Sequence, residues 1–344
     1  MPTLDEIARE AGVSKITVSR VLTGKGKGVR TSATERARRI RDIAQRLGYR
    51  PNVAARAVST GRFGSITMVT SIDRRGVFLP EPLLRGIDDV LCENDMHMAL
   101  ARIPESKLTS EEQLPKLIRE FASDGLLLNY AADVSPLVRQ LVDRVHIPCV
   151  WINTKSEHDS VYPDDFRAGR EGCEYLLKLG HQRIVHVCYT RSSHYSEYDR
   201  EGGYEYAMKQ AGLTPRSYCI PINYRGQPYD DRLAVSRGLL SSESRPTAVI
   251  AYAPDHALPL YEAARDLGLR VPEDLSIISF NSEHLLNITG VPFTTLAVPE
   301  LALGRAGAGM LLTKINHGNP PMKSQALPAH LIEGKTCAAP PSRT

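Results

Sequence analysis

At 344 residues, with 42% hydrophobic and 24% charged residues, the chain is long enough for a small head and a body that divides again, with the balance of an ordinary soluble globular protein. No apolar run approaches membrane-spanning length and the N-terminus carries no signal-peptide hydrophobic region, so the protein is expected in the cytosol, away from any membrane. Six cysteines, Cys92, Cys149, Cys173, Cys188, Cys219 and Cys337, lack any C-x-x-C pairing, which argues against a disulfide framework or a zinc site; no cofactor is expected.

The first predicted element carries Leu4, Ile7, Ala8 and Ala11 at helical spacing. Gly12 breaks the run, and Ser14 is placed to cap a second helix whose buried side is Val18, Val21 and Leu22. Two short helices joined by a tight turn make a helix-turn-helix. In that motif the N-terminal residues of the second helix lie over base edges in the major groove, so Lys15, Ile16 and Arg20 are the candidate readers. Thr17 and Ser19, with Thr3 and Ser14, are candidates for phosphate contacts, which fix register without reading sequence. The competing reading is an amphipathic hairpin with solvated charges. Charge segregation decides between them: residues 1–62 hold 14 Lys and Arg against 5 Asp and Glu, net +9, while the remainder holds 29 against 34, net −5. A basic footprint over a helix-turn-helix calls for a polyanion, double-stranded DNA.

Segment 23–28 is too rich in glycine for a helix and reads as a mobile basic loop, its Lys25 and Lys27 either solvated or set on the phosphate backbone. A third helix follows. Ser32 to Glu35 has capping-box spacing, Ala37, Ile40, Ala44 and Leu47 form an apolar stripe, and Gly48 ends it. Pro51 breaks the pattern and Asn52 can cap a short segment, 53–59, that is too short to persist as a helix alone in water.

From Ser65 onward, short apolar runs alternate with helical ones, the pattern of βαβ units and a parallel sheet. Strands are predicted at 65–70, 96–101, 125–128, 148–152 and 248–252, with further strand-bearing runs at 180–187 and 268–281. Helices are predicted at 81–93, 110–121, 136–144, 167–179, 203–211, 257–267 and 300–315. His181, between a helix end and a strand, reads as a cap or packing residue rather than a catalytic group. In open α/β sheets ligands bind beyond the carboxyl ends of the strands. Tyr224 and Trp151 could offer a stacking face there, though Trp151 also suits core packing.

The run 2–22, the segment Tyr49-Arg50-Pro51-Asn52-Val53-Ala54-Ala55-Arg56, the Leu179-Gly180-His181-Gln182-Arg183-Ile184 run and the stretch from Gly268 to Asn281 together resemble the lactose-repressor (LacI/GalR) family of bacterial transcription regulators, over essentially the whole chain. The resemblance implies an α-helical helix-turn-helix head (1–50), a hinge helix and linker (51–64) and an α/β two-lobed core like that of periplasmic binding proteins (65–344). The core would have parallel sheets flanked by helices, with lobe 1 at about 65–164 and 297–326 and lobe 2 at about 165–296 and 327–337. It also implies a homodimer on a palindromic operator, its hinge residues Asn52, Ala55, Arg56 and Val58 in the minor groove. Most members have leucine at the wedge position where this chain has Val58, and segment 23–28 is about two residues longer than in familiar members. Arg200 matches the arginine that hydrogen-bonds the effector, with a surface salt bridge to Asp199 or Glu201 as the alternative. Asn281 stands where aspartate is usual, Asn153 and Asp165 occupy the polar positions beside the crossing, and the usual acidic position after strand 248–252 falls on Pro254. A sugar or sugar derivative is the implied effector.

Two other classes compete. An enzyme on a doubly wound α/β fold finds no G-x-G-x-x-G, P-loop, G-x-S-x-G or H-E-x-x-H in this chain. A sugar-binding module without DNA function leaves the +9 head unexplained. The C-terminal residues 338–342 show no heptads, so a coiled-coil tetramer is not expected.

Overall fold

The structure is a computed structural model that describes residues 2–22, 31–49, 61–70, 79–103, 116, 120, 122–130, 136–188, 194–219, 229–282 and 290–341. It divides into two compact units, Met1–Phe63 and Gly64–Thr344.

In the first unit three helices, α1 (Leu4–Ala11), α2 (Lys15–Leu22) and α3 (Thr31–Arg46), enclose one small core. Thr3 starts α1 with a reciprocal capping box: its hydroxyl accepts from the Glu6 N–H at 3.3 Å and the Glu6 carboxylate accepts from the Thr3 N–H at 3.0 Å. Gly12 ends α1 at φ 68, a left-handed conformation that lets its N–H reach back to the carbonyls of Ala8 and Arg9. The Ser14 hydroxyl then accepts from the Thr17 N–H at 3.2 Å and opens α2. Ile7, Ala8, Ala11, Val18, Ile40, Ile43 and Ala44 are buried together. Two details differ from the sequence reading. Ser32 lies inside α3 rather than at its cap, and Ile43, not the exposed Leu47 beyond the helix end, completes the buried stripe.

The second unit contains two six-stranded sheets. The first has the order β2-β1-β3-β4-β5-β11, with β1 (Ser65–Thr70), β2 (His97–Arg102), β3 (Leu126–Asn129), β4 (Cys149–Ile152), β5 (Ser160–Pro163) and β11 (Gln325–Leu327), all parallel. The second has the order β7-β6-β8-β9-β10-β12, with β6 (Ile184–Cys188), β7 (Arg216–Cys219), β8 (Ala248–Ala251), β9 (Ser276–Ser282), β10 (Thr294–Val298) and an antiparallel β12 (His330–Ile332). Central strands β3, β4, β6 and β8 are buried throughout, because helices cover both faces of a parallel sheet. The helices are α4 (Glu81–Glu93), α5 (Pro136–Val145), α6 (Asp165–Lys178), α7 (Tyr195–Gln210), α8 (Tyr229–Leu240), α9 (Pro254–Asp266) and α10 (Glu300–Asn316).

The chain passes between sheets three times: from β5 into α6, from β10 into α10, and from β11 to β12. The last two passages fall one or two residues later than expected, since β10 runs to Val298 and β11 to Leu327. Helix α7 departs most from the sequence reading, beginning at Tyr195 rather than Gly203. Gly202 and Gly203 look like a helix start, but they sit inside α7, where the helix presses on α6. A Cβ at Gly203 would lie 2.0 Å from the carbonyl oxygen of Phe166, and one at Gly169 2.2 Å from that of Arg200. Glycine is required there for close approach rather than to start or stop a helix. Among the described residues no helix is long and apolar enough to cross a membrane.

Candidate DNA-reading surface and ligand cleft

The head presents its candidate readers on one exposed strip. Val18 faces the core, which turns Lys15, Ile16 and Arg20 outward, Ile16 with 65% of its surface open. An apolar side chain so exposed at the start of a helix suits contact with a base edge, such as a thymine methyl. The Lys15 ammonium lies 2.7 Å from the Asp5 carboxylate, and both side chains are exposed. Ser14 and Thr17 share a side-chain hydrogen bond at 2.9 Å and Ser19 is half-buried. Arg46 pairs with Glu10, tying α3 to α1. Lys25 and Lys27, and all four hinge residues Asn52, Ala55, Arg56 and Val58, lie outside the described residues, as does Tyr224.

In the second unit the candidate ligand residues gather where strands of both sheets end. Asn153 directly follows β4, with φ 56, and Asp165 opens α6 behind the Asp164 cap. Arg200 lies in α7, and the N-terminal turns of α6 and α7 bring it to Asp165. The Arg200 Nε donates to Asp165 Oδ1 at 2.7 Å, and Nη1 donates to the Tyr252 carbonyl at 2.7 Å beyond the end of β8. The guanidinium lies over the rings of Phe280 and Tyr252, at 4.1 and 4.7 Å from their centroids. Asp165 is 1% exposed, and among the described residues its second oxygen, Oδ2, has no hydrogen-bond partner. Burial, the largest single influence, would depress the Arg200 guanidinium, but the charge and hydrogen bond of Asp165 together with the nearby Tyr252 and Tyr195 outweigh it and hold the pKa above the ordinary arginine value. Asn281 is placed at the end of β9, in register with Ala297. The alternative of an Arg200 surface bridge to Asp199 is not realised, since Asp199 is engaged by Lys155 at 2.6 Å.

The contacts that bridge the two lobes were not singled out in the sequence. Lys155, in the loop after β4, reaches Asp199 of α7. His194, which caps α7, bonds through Nε2 with the Asn153 carbonyl at 2.9 Å and through Nδ1 with the Ser196 hydroxyl at 2.7 Å. Ser196 continues to the Tyr252 hydroxyl at 2.8 Å. The Tyr195 hydroxyl donates at 3.4 Å to Asn153 Oδ1 and to the Pro163 carbonyl. Burial, and then the Asp165 charge, pushes the Tyr195 hydroxyl well above the usual tyrosine pKa, so it stays a neutral donor. The available signal was an N-cap-capable His-Tyr-Ser run just before Asp199, which the later predicted helix start obscured.

Trp151 and His181 sit elsewhere. Trp151 is buried beneath the Arg139 guanidinium, 5.5 Å away, beside a cavity of about 490 Å³ that shares no lining residue with the Arg200 site. His181 is enclosed by Thr247, Ser276 and the Ala338 carbonyl, at 2.9, 3.1 and 2.8 Å, and fastens the C-terminal segment to the second sheet. Among the described residues no group of three or more His, Cys, Asp or Glu side chains could hold a metal ion.

A basic helix-turn-helix head and a two-lobed α/β core with polar groups converging between lobes together define a ligand-responsive DNA-binding regulator. Residues 3–52 match the family model for bacterial regulatory proteins of the lacI family, and residues 173–337 match that for a periplasmic binding protein-like domain. The chain is 28% identical to catabolite control protein A of Priestia megaterium, over 91% of this chain and 92% of the relative. It is 29% identical to the HTH-type transcriptional regulator GntR of Pseudomonas aeruginosa, over 91% and 89%. Its fold is similar to the lac repressor dimer bound to operator and an anti-inducer, with a TM-score of 0.80 at 21% identity and coverage of 98% and 99%. It is also similar to a ribose-bound lacI-family regulator from Enterococcus faecium, with a TM-score of 0.64 at 25% identity and coverage of 79% and 99%. Family-model, relative and structural matches to lacI-type regulators thus run along the chain, which is a DNA-binding transcriptional regulator with an effector-binding core.

Proposed function

We propose that the protein is a homodimeric repressor of a palindromic operator, released or recruited by a sugar-like molecule bound between its lobes. The observation that carries the DNA half is the outward strip of Lys15, Ile16 and Arg20, fixed by Val18 in a closed core and by caps at Thr3 and Ser14. These three residues read base edges, while Thr3, Ser14, Thr17, Ser19, Lys25 and Lys27 engage phosphates. Asn52, Ala55, Arg56 and Val58 dock with their twins in the minor groove, Val58 as a shorter wedge than leucine.

Arg200, Asp165, Asn153, Asn281 and Tyr224 form the effector site. The sugar class is supported by the ribose-bound relative and by a fold neighbour, CelR, solved with cellobiose. A ligand inserted beside Asn153 and Arg200 meets the bonds that tie the lobes, Lys155 to Asp199 and His194 to the Asn153 carbonyl, and so shifts the balance between lobe arrangements. Linkage requires operator and effector to change each other's affinity by the same factor. Selection of bound duplexes from a random pool tests the DNA half. Lys15→Ala or Arg20→Ala should relax preference at one base position by about 1–3 kcal/mol, whereas uniform weakening on all sequences reassigns them to phosphate. Arg200→Ala should abolish the ligand response and leave operator binding intact, and a surviving response refutes the site.

A further inference from the structure

We propose that Asp165 sets the charge of the effector: the cleft accepts an electroneutral, hydroxyl-bearing molecule and rejects carboxylates and phosphates of the same skeleton. The proposal rests on reading the cleft around Arg200 as the ligand site. An arginine in such a cleft is equally suited to a hydroxyl or an anion, and the neighbourhood decides which. Here the guanidinium already has its counter-ion. Asp165 holds Nε at 2.7 Å, the Tyr252 carbonyl holds Nη1, and two aromatic rings cover the plane, leaving only edge N–H groups for a ligand.

Lys155, the cation contributed from the other lobe, is likewise held by a carboxylate, Asp199, at 2.6 Å. An anionic ligand therefore meets two cations that already have counter-ions, and beside Arg200 it meets the buried Asp165 carboxylate, where repulsion between like charges is strong.

Asp165 Oδ2 points to what the ligand must bring. Among the described residues no group completes a hydrogen bond to this buried carboxylate oxygen, the nearby Tyr195 hydroxyl being directed to Asn153 Oδ1 and the Pro163 carbonyl, and a carboxylate can only accept, so the missing group is a donor. A ligand hydroxyl fits: it donates to Oδ2 and accepts from a free edge N–H of Arg200, so two neighbouring hydroxyls of a polyol would occupy the pair together. A ligand carboxylate has no proton to donate at neutral pH.

The test uses the full chain and matched neutral and acidic probes that keep the sugar ring: D-glucose with D-glucuronate, D-galactose with D-galacturonate, and cellobiose with cellobiouronate. Binding is followed by thermal shift and calorimetry. At least one neutral probe should bind the wild type, with its acid at least tenfold weaker. Asp165→Asn, which frees the arginine charge, should narrow or reverse that ratio by tenfold or more. An acid that binds the wild type as well as its parent sugar overturns the proposal, as does binding by none of the neutral probes. The wild-type comparison needs no variant, so a poorly folding Asp165→Asn does not blunt it. The underlying reading is separated by Arg200→Ala. An acid whose binding is lost in that variant refutes the role of Asp165 and keeps the cleft, while binding that survives it removes the cleft as the ligand site.

Discussion

The proposed ligand site depends on two helices crossing at close approach, and Gly169→Ala tests that dependence. A Cβ at Gly169 would lie 2.2 Å from the Arg200 carbonyl oxygen, where real Cβ atoms stay beyond 3.0 Å, so α7 must withdraw by at least about 0.8 Å. That shift would stretch the Arg200–Asp165 bond from 2.7 Å to about 3.5 Å, the edge of hydrogen bonding. Overpacking of this kind costs about 1–3 kcal/mol, against about 1 kcal/mol gained when alanine replaces glycine in a helix interior. A net loss of up to about 2 kcal/mol follows, together with weakened ligand binding. Gly238 in α8 and Gly309 in α10 have nothing within 4 Å of their would-be Cβ, and alanine there should raise stability by about 0.5–1 kcal/mol. Urea unfolding of the core transition in the three variants gives the comparison. If Gly169→Ala is stabilised as much as the two controls and binds ligand normally, the close crossing does not position Arg200.

Two further predictions concern single contacts. The exposed Lys15–Asp5 pair should add less than about 1 kcal/mol to head stability. Asp5→Asn should leave melting nearly unchanged yet raise the preference for the selected operator over random duplex a few-fold by releasing Lys15 to its base. The same change in a Lys15→Gln background should have no such effect, and an equal gain in both backgrounds would mean that Lys15 is not responsible. Burial lowers the His181 pKa below its ordinary 6.5, so the folded core binds fewer protons there than the unfolded chain. Its contribution is complete above about pH 6.5 and is lost as pH falls below that value. Melting temperature should drop on acidification from pH 7.5 to 5.5, and His181→Gln should remove part of that slope. An unchanged slope would assign the acid sensitivity to other groups.

Much of the architecture was legible in the sequence because its signals are local. Val18 against Lys15, Ile16 and Arg20 is a helical period with one buried side, and Gly12 is a left-handed stop that the chain could not make cheaply with another residue. Strands β4 and β8 are continuous apolar runs, and β3 is one up to its last residue, Asn129, as expected for parallel strands covered on both faces. Strands β5, β7, β11 and β12 mix polar and apolar residues over three or four positions each, so they offer no apolar run to mark them.

Legibility of the ligand site was divided in the same way. Arg200 and Asp165 were visible individually, but their pairing depends on the crossing at Gly169 and Gly203, and a glycine needed for tertiary approach looks like a local breaker. That ambiguity placed the start of α7 eight residues late and hid His194 and Tyr195, whose bonds to Asn153 join the lobes.

The central claim is that the +9 head holds duplex DNA through its phosphates as well as its bases. The direct measurement is the affinity of the full-length protein for random duplex as a function of salt. If each dimer neutralises about six to eight phosphates, log K should fall against log salt with a slope of about −5 to −7. A slope near zero, or no binding at low ionic strength, would contradict the account.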